Sequence, residues 1–378
     1  MIRWRVLLPT LLLFIVLSGC SGAGSPPVAA QSCDWWASYA KQFIQQDGRV
    51  VEYSQKNRTT SEAQAYALFF ALVANDKRKF EAILKWTENN LAKGDLSKNL
   101  PSWLWGKNEK GQWGVNDVNP ASDADLWLAY TLIQAGRLWH VAKFKSLGEA
   151  VLGNVEQYET VKIPAVGSVL LATTKNTLAN DLVWRLNLSY TPVQLLRFFS
   201  IYKPTGPWAS MLDSTEKMVA RYSVKGLIPD WIMYERNKER LYLDDSSMMS
   251  YDAIRVYLWA GMLDGDEPLR SNIVPHLSGI TKYLENGGHI PAEVNLLTRR
   301  AARSFPVGFA AAVLPLLKSE NFSSAYQEES KWLKSKMKKC LLGITPLYYN
   351  NSLAMFSYGW EAGAFSFGLA GELQVPWS

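Results

Sequence analysis

Hydrophobic and polar residues follow each other along the chain with the period of an α-helix. In residues 62–74 the large apolar positions are spaced i, i+3, i+4 and i+7, as on one helix face: Tyr66, Phe69, Phe70 and Val73. This stretch is almost free of charge, which predicts a helix buried on most sides. Residues 80–91 keep the period but carry charges on the other face, which predicts an amphipathic helix after the buried one.

Pairs of this kind recur along the chain. Four more apolar stretches occur at residues 123–135, 191–201, 251–263 and 306–317, and each precedes an amphipathic one, at 142–158, 210–222, 269–284 and 323–337. Together with a first helix near residues 35–46, these stretches give about eleven helices. Their alternation between buried and amphipathic helices predicts stacked helical hairpins. We therefore predict an all-α toroid close to six hairpins, with an inner ring of buried helices wrapped by an outer ring.

Two other segments depart from the helical period. Residues 364–367 alternate between small or polar and aromatic side chains, which predicts a short strand. The long connection at 95–120 carries three tryptophans, and connections of that length are usually functional loops. Residues 33–378 contain no linker-like stretch, so one domain is expected.

The first 19 residues have the pattern of a signal peptide. Arg3 and Arg5 precede an apolar run over residues 6–17. The run is short for a membrane span, and no second hydrophobic stretch follows it. We therefore expect the protein to be exported.

A lipid anchor is expected at the end of this segment. The sequence Leu-Ser-Gly-Cys at residues 17–20 looks like a bacterial lipobox, in which Cys20 is lipidated and becomes the mature N-terminus. Residues 20–32 are small and rich in Pro and Gly, as in a tether. These features predict a periplasmic protein held in the outer membrane, since Ser21 rather than an aspartate follows the cysteine. Ordinary cleavage near Ala29 is the alternative.

The remaining cysteines and the histidines suggest no metal site. Cys33 and Cys340 could form a disulfide in an oxidising compartment and join the two chain ends; two unpaired buried thiols are the alternative. The histidines are scattered and are interpreted as structural: His140, His276 and His289. No Cys/His spacing resembles a zinc site, so neither a metal nor a cofactor is expected.

Charge and motifs exclude several classes of protein. The formal net charge is +6, spread without a Lys/Arg block, which argues against nucleic-acid binding. A glycine-rich phosphate loop after a strand and a G-x-S-x-G elbow are both missing from the sequence. The 16 Trp and 17 Tyr suit core packing and also stacking on sugar rings.

Three acidic residues lie where three of the apolar helices begin: Glu62, Asp123 and Asp252. Singly, each is explained by the positive end of the helix dipole, and Ser61 and Gln64 are expected to form a capping box around the first. Together, on inner helices that share a rim, the three would converge on one cleft. Glycoside hydrolysis requires such carboxyl groups, one to protonate the leaving oxygen and one to activate water or attack the sugar.

The sequences around these acids resemble three motifs of glycoside hydrolase family 8. They are Thr-Ser-Glu-Ala-Gln-Ala-Tyr at 60–66, Ala-Ser-Asp-Ala-Asp at 121–125 and Ser-Tyr-Asp-Ala-Ile-Arg at 250–255. The resemblance extends from about Cys33 to the end of the chain. Residues 100–106 and 184–190 look closest to the endoglucanases (cellulases) encoded with bacterial cellulose synthases.

This resemblance implies an (α/α)6 barrel with minor β structure at the periphery, and hydrolysis with inversion. It implies Glu62 as general acid and Asp252 as general base, with Asp123 orienting the sugar at the cleavage subsite or serving as the second catalytic carboxylate. The residues that it implies in substrate binding are Trp103, Trp105, Trp184, Asn187, Tyr190, Tyr251 and Arg255. Ala63 stands where the family usually has Gly, which leaves the backbone beside Glu62 in question.

The function expected from these features is endo-β-1,4-glucan hydrolysis in the periplasm, in support of bacterial cellulose synthesis. The expected partners are a β-1,4-glucan chain and the cellulose synthase or export complex, with the protein itself a monomer. Chitosan and xylan are alternative substrates within the family. A glycan-binding lipoprotein without catalysis is an alternative of another class, and a scaffold in the synthase complex is compatible with catalysis.

Overall fold

The computed structural model describes residues 33–164 and 166–378, so the predicted signal peptide, the tether and Cys20 lie outside the described residues. No helix in the described part of the chain has the length and apolar character needed to cross a bilayer. The α-helices of this part are α1 Trp35–Phe43, α2 Ser61–Val73, α3 Lys77–Leu91, α4 Ser122–Leu138, α5 Ala142–Tyr158, α6 Val193–Tyr202, α7 Trp208–Tyr222, α8 Ile254–Gly261, α9 Arg270–Ile273, α10 Val307–Ser319, α11 Ser323–Lys336 and α12 Tyr348–Glu361.

Six of these helices form a closed inner ring. α2 contacts α4, and the contacts continue in order through α6, α8, α10 and α12 back to α2. Most of the other helices pack against this ring from outside, α1 on α12, α3 on α2, α5 on α4, α7 on α6 and α11 on α10, and α9 lies beside α7. The arrangement is an (α/α)6 barrel and confirms the fold class expected from the sequence.

The inner and outer helices differ in burial as their charge pattern predicts. Helix α2 buries eleven of its 13 residues, whereas its outer partner α3 buries six of 15. Close approach between inner helices depends on one glycine in particular. A Cβ atom at Gly261 would lie 2.2 Å from the backbone nitrogen of Leu316, so a larger residue there would push α8 away from α10.

Two helical segments differ from the sequence prediction. The stretch expected as an amphipathic helix at 269–284 is α-helical only over α9 and continues as a 3-10 helix, Val274–Tyr283. Pro275 lies near the start of that helix and has no backbone N–H to donate. Helix α12 was not predicted. It buries polar residues among its apolar ones, namely Asn350, Asn351, Ser352 and Ser357, which hides the hydrophobic period.

Short strands form small antiparallel sheets beside the ring. They are β1 Thr59–Thr60, β2 Ser102–Lys107, β3 Trp113–Pro120, β4 Thr160–Ile163, β5 Gly167–Leu170, β6 Val183–Leu186, β7 Ile232–Glu235, β8 Arg240–Tyr242, β9 Met248–Met249, β10 Val294–Asn295, β11 Met337–Lys338, β12 Leu341–Leu342, β13 Ser366–Phe367 and β14 Leu373–Gln374. Strand β13 confirms the strand predicted at 364–367. The connection at 95–120 is a β2–β3 hairpin rather than an irregular loop.

Aromatic side chains fill the centre of the barrel. The ring of Trp127 from α4 packs against Trp259 of α8, with centroids 5.2 Å apart, and against Phe356 of α12 at 5.1 Å. Tyr66 of α2 packs edge-on against Trp127 and Phe356. Because these rings come from four inner helices, they fix the helices relative to each other below the rim where the acids lie.

A disulfide joins the start of the described chain to its last quarter. Cys33 and Cys340 are both disulfide-bonded. The chain has three cysteines, and Cys20 could pair with only one of these two, so Cys33 and Cys340 are bonded to each other. Of the two alternatives that the sequence leaves open, the structure shows the disulfide and not the two unpaired thiols.

Candidate active site

Glu62 lies in the first turn of α2, but the helix is capped differently from the sequence prediction. The side chain of Thr60 accepts a hydrogen bond from the backbone N–H of Ala63 and is the N-cap. The predicted capping box is therefore wrong. Gln64 instead reaches the backbone N–H of Val50 and the hydroxyl of Thr87, which ties the first turn of α2 to its surroundings.

Asp123 lies in the first turn of α4. The N-cap, Ala121, offers no side-chain hydrogen bond, and Ser122 instead donates its hydroxyl to the carbonyl of Leu171. One carboxylate oxygen of Asp123 accepts the backbone N–H of Ala124 at 2.8 Å. The side chain is 4% exposed, so its remaining oxygen has little access to water.

Asp252 precedes α8, which begins at Ile254, and a neighbouring carboxyl group holds this turn. Asp230 accepts the backbone N–H groups of Ser250 and Ala253, each at 2.8 Å, and the hydroxyl of Ser250. The sequence analysis did not find Asp230, because it lies in an irregular stretch far from the motif. An acid placed before β7 thus provides the cap that α8 lacks.

One arginine brings the three acids together. Arg255 Nη1 lies 2.7 Å from Glu62 Oε2 and 2.7 Å from Asp123 Oδ2. Its Nη2 lies 2.7 Å from Asp252 Oδ1, and Nη1 also donates to the hydroxyl of Tyr66 at 3.2 Å. The guanidinium group is 3% exposed, and its planar fork fixes the positions of three carboxyl groups at once.

The acids differ in their electrostatic environment. Burial raises the pKa of Glu62 to about 8; Arg255 opposes this rise, and the carboxylates of Asp123 and Asp252 add to it. Glu62 is therefore protonated at neutral pH and can donate a proton. The side chain of Asp252 is more exposed, at 27% against 19% for Glu62.

Two cavities meet at these acids and form one open groove. One has a volume of about 680 Å³ and the other about 450 Å³. Both are lined by Glu62, Asp252, Arg255 and Trp103, and Asp123 lines the smaller one. A chain-like ligand that occupied both cavities would therefore pass beside both Glu62 and Asp252.

Several predicted binding residues line this groove. Tyr251 lies in the larger cavity and Tyr190 in the smaller, where the ring of Tyr190 is 5.5 Å from the guanidinium carbon of Arg255. Four aromatic residues that were not predicted from the sequence line the groove as well, namely Trp231, Phe305, Tyr348 and Tyr349, and two of them contact predicted residues. Trp231 packs edge-on against Tyr190, and Tyr349 of α12 donates its hydroxyl to the carbonyl of Tyr251. Neither belongs to a recognisable motif.

Trp105 lies outside the residues that line the two cavities. Its ring stacks on Trp113 with centroids 5.0 Å apart and meets Trp86 edge-on at 5.4 Å. The guanidinium carbon of Arg49 lies 4.3 Å from the Trp105 centroid. The register of β2 against β3 shifts between Ser102 and Trp105, so Trp103 and Trp105 do not follow the simple alternation of a strand.

Trp184 and Asn187 also lie outside the residues that line the cavities. Trp184 of β6 donates its indole N–H to the carbonyl of Leu178. The side-chain oxygen of Asn187 accepts the backbone N–H and the hydroxyl of Ser189. That turn leads directly to Tyr190, so Asn187 supports the loop that carries a groove residue.

A second pair of carboxyl groups lies behind Asp123. Asp125 of α4 and Glu159, which follows α5, are both fully buried and interact electrostatically with each other, and their carboxyl oxygens have no hydrogen-bond donor among the described residues. Burial raises the pKa of both well above the ordinary range, and the charge of Asp123 adds to the rise in each case. A buried carboxylate without a hydrogen-bond donor is strongly disfavoured, so the pair keeps its protons above the ordinary carboxyl pKa.

The barrel and the groove define the class of protein. Glu62, which its raised pKa keeps protonated at neutral pH, and the more exposed Asp252 line one open groove at the rim of an (α/α)6 barrel. This is the arrangement of a glycoside hydrolase, which needs a proton donor for the leaving oxygen and a second carboxylate for water or for the sugar.

Comparisons with known proteins give the family. The family model described as Glycosyl hydrolases family 8 matches residues 19–363, and the chain belongs to that family. The endoglucanase of Escherichia coli O157:H7 is 37% identical over 350 residues, 92% of this chain and 92% of that protein. The endoglucanase of Xanthomonas axonopodis pv. citri is 37% identical over 344 residues, 90% of this chain and 88% of that protein.

A solved structure supports the same assignment. The endo-1,4-D-glucanase from Vibrio fischeri ES114 has a TM-score of 0.78 and 36% identity with this protein, covering 91% of this chain and 99% of that one. The family resemblance that the three motifs indicated is thereby confirmed, and the protein is a glycoside hydrolase.

Proposed function

We propose that this protein is an endo-β-1,4-glucanase that hydrolyses its substrate with inversion, Glu62 as general acid and Asp252 as general base. The observation that carries the proposal is the difference between these two acids, which line the same groove. Burial raises the pKa of Glu62 to about 8, whereas Asp252 has the more exposed side chain of the two. At neutral pH the groove thus contains a proton donor, Glu62, and a second carboxyl group with more access to water, Asp252.

The reaction then proceeds in one displacement. Glu62 gives its proton to the glycosidic oxygen as the bond from that oxygen to the anomeric carbon breaks. Asp252 takes a proton from a water molecule, whose oxygen forms the new bond to the anomeric carbon from the opposite side. The β-linked sugar leaves with an α-anomeric hydroxyl group, Glu62 is left ionised and Asp252 protonated, and exchange with solvent restores both.

Asp123 is proposed to orient the sugar rather than to attack it. Its Oδ2 is held by Arg255 and its Oδ1 by the backbone N–H of Ala124. A carboxylate bound on both oxygens is a poor nucleophile but a rigid hydrogen-bond acceptor for a sugar hydroxyl. In an inverting reaction no covalent intermediate is needed, which agrees with this role.

The substrate is proposed to be cellulose or a related β-1,4-glucan. The similarity to proteins named endoglucanase over about nine-tenths of the chain supports this choice. The aromatic rings along the groove, Trp103, Tyr190, Trp231 and Tyr251, provide flat apolar surfaces for glucose rings. A panel of cellulose, chitosan and xylan tests the choice, and faster hydrolysis of either of the latter would overturn it.

The proposed setting is the periplasm, where the enzyme would trim or release glucan during bacterial cellulose synthesis and export. The signal-like residues 1–19 and the lipobox at Cys20 support export and lipidation. The resemblance to endoglucanases encoded with cellulose synthases supports the link to synthesis. The mass of the mature protein tests the anchor, because lipidation adds acyl groups that a Cys20→Ser variant would lack.

Isosteric variants test the catalytic roles. Glu62→Gln and Asp252→Asn should each lower kcat on soluble carboxymethyl cellulose by at least ~10²-fold, because each removes one proton-transfer group. Glu328→Gln is a matched control, since Glu328 is exposed on α11, away from the groove. Wild-type activity in either active-site variant would contradict the assignment.

A further inference from the structure

The end of α11 and the turn that follows it form a strongly basic surface. Five of the nine residues at 331–339 are exposed lysines, here called the lysine patch: Lys331, Lys334, Lys336, Lys338 and Lys339. Apolar and polar residues separate most of them, so the sequence shows no continuous basic block. Within the described residues, none of the five belongs to an ion pair closer than 4.0 Å.

The acids near the patch do not neutralise it. Burial raises the pKa of Glu361 of α12, and the charges of Lys318 and Lys334 oppose that rise. Glu328 is the exposed acid on the same helix. Lys336 also lies over an aromatic ring, with its Nζ 5.7 Å from the centroid of Trp332. A free positive field therefore remains at this end of α11.

The patch lies where the described domain joins residues 1–32. Lys339 directly precedes Cys340, which is bonded to Cys33, so the covalent attachment point of the N-terminal residues is next to the patch. None of the five lysines lines either cavity of the groove. The surface is therefore separate from the catalytic site and adjacent to the expected anchor.

We propose that the lysine patch binds the surface of an anionic phospholipid bilayer. The choice of occupant rests on the proposed export and lipidation at Cys20, not on the proposed catalytic roles. Thirteen residues lead from Cys20 to Cys33, and a chain segment of that length can span at most roughly 45 Å. A lipid at Cys20 would therefore keep the patch within contact distance of the headgroups, where exposed lysines are attracted to anionic lipid.

Vesicle binding tests this proposal on the full chain. All proteins carry Cys20→Ser, so that no acyl group contributes, and binding to neutral phosphatidylcholine vesicles measures what residues 1–32 add. The patch variant replaces four lysines by glutamine: Lys331, Lys334, Lys338 and Lys339. The control variant loses the same charge from exposed lysines of α3, the following turn and α5: Lys77, Lys85, Lys93 and Lys143.

We expect the protein to bind vesicles that contain phosphatidylglycerol at least ~10-fold more tightly than neutral ones. Each lysine near such a surface raises the binding constant about fivefold. The patch variant should lose most of this preference and the control variant little of it. High salt should weaken the binding, because it screens exposed charges. Unchanged hydrolysis of carboxymethyl cellulose by the patch variant would verify its fold.

Three results would overturn the proposal. One is equal binding to anionic and neutral vesicles, and another is an equal loss in both variants, which would assign the effect to net charge. The third is binding through the patch to a soluble anionic polysaccharide without preference for phosphatidylglycerol. An inactive wild-type enzyme that still prefers anionic vesicles would contradict the proposed catalysis and leave this inference intact.

Discussion

Arg255 Nη1 donates to Glu62 Oε2 at 2.7 Å, although the two residues are 193 positions apart in the chain. The same guanidinium group holds Asp123 and Asp252. Three inner helices that begin with an acid therefore meet at one cation, which fixes the acids relative to each other and to the groove. The proposed proton transfers require this arrangement of the three acids.

The forked guanidinium group of Arg255 is predicted to be needed for activity because of its shape as well as its charge. Arg255→Lys keeps a positive charge but offers one compact ammonium group, which cannot hold three carboxyl groups in the same geometry. We expect kcat/KM on carboxymethyl cellulose to fall by at least ~10²-fold, since small misplacements of reacting groups have effects of that size. Activity close to wild type in a folded Arg255→Lys protein would show that positioning by the fork is unimportant.

The raised pKa of Glu62 predicts an alkaline limit to activity. A general acid works only while protonated, so kcat/KM should fall about tenfold per pH unit above pH about 8. The pH dependence of kcat/KM on a soluble β-1,4-glucan measures this limb, and the residual activity of Glu62→Gln should lack it. A decline that begins near pH 5 would contradict the protonated state proposed for Glu62.

The two tryptophans of β2 are predicted to contribute differently. Trp103 lines both cavities beside the acids, whereas Trp105 packs against Trp86 and Trp113. Trp103→Ala should therefore raise KM for cello-oligosaccharides by roughly 2–10-fold, the loss of one aromatic stacking contact. Trp105→Ala should mainly lower stability. A larger KM effect from Trp105→Ala would mean that the groove extends along the hairpin.

The buried pair of Asp125 and Glu159 predicts a pH-dependent stability. Both carboxyl groups have raised pKa values in the folded protein, so the folded state keeps protons that the unfolded chain releases above its ordinary carboxyl pKa of about 4. The contribution of the two carboxyl groups to the free energy of unfolding is fully present below the unfolded pKa. It is lost as the pH rises through the folded pKa values.

An Asp125→Asn variant tests that contribution. The amide has no proton to release in this pH range, so the decline in unfolding free energy between pH about 5 and 8 should become shallower by up to ~1.4 kcal/mol per pH unit. Urea unfolding at several pH values measures the slope. An unchanged slope in the variant would indicate that the pair ionises as freely as it does in the unfolded chain.

The sequence predicted the barrel because charge separates inner from outer helices so clearly. Helices such as α2 and α3 differ in charge along their whole length, and the three acids lie at recognisable positions in uncharged stretches. Helix α12 was not predicted because its buried face includes polar residues such as Asn351 and Ser352, which interrupt the hydrophobic period. Their side chains can be buried because they form hydrogen bonds with backbone groups. A single sequence does not reveal which polar groups find such partners.

The groove was predicted less completely than its acids. Asp230 and Trp231 reach the site from a stretch without helical period, through the pairing of β6, β7 and β8. Their positions depend on long-range contacts that no local pattern encodes. Trp105 is the opposite case, a residue of a family-like motif that packs against other tryptophans instead of lining the cavities. The register shift in β2 explains why its position could not be inferred from the alternation of a regular strand.

The anomer first released from cellopentaose distinguishes inversion at the anomeric carbon from retention. Proton NMR in the first minutes of hydrolysis distinguishes α from β anomeric protons before mutarotation mixes them. The proposed pair of Glu62 as acid and Asp252 as base predicts that the α-anomer appears first at the newly formed reducing end. Initial release of the β-anomer would mean a covalent intermediate and would contradict the account.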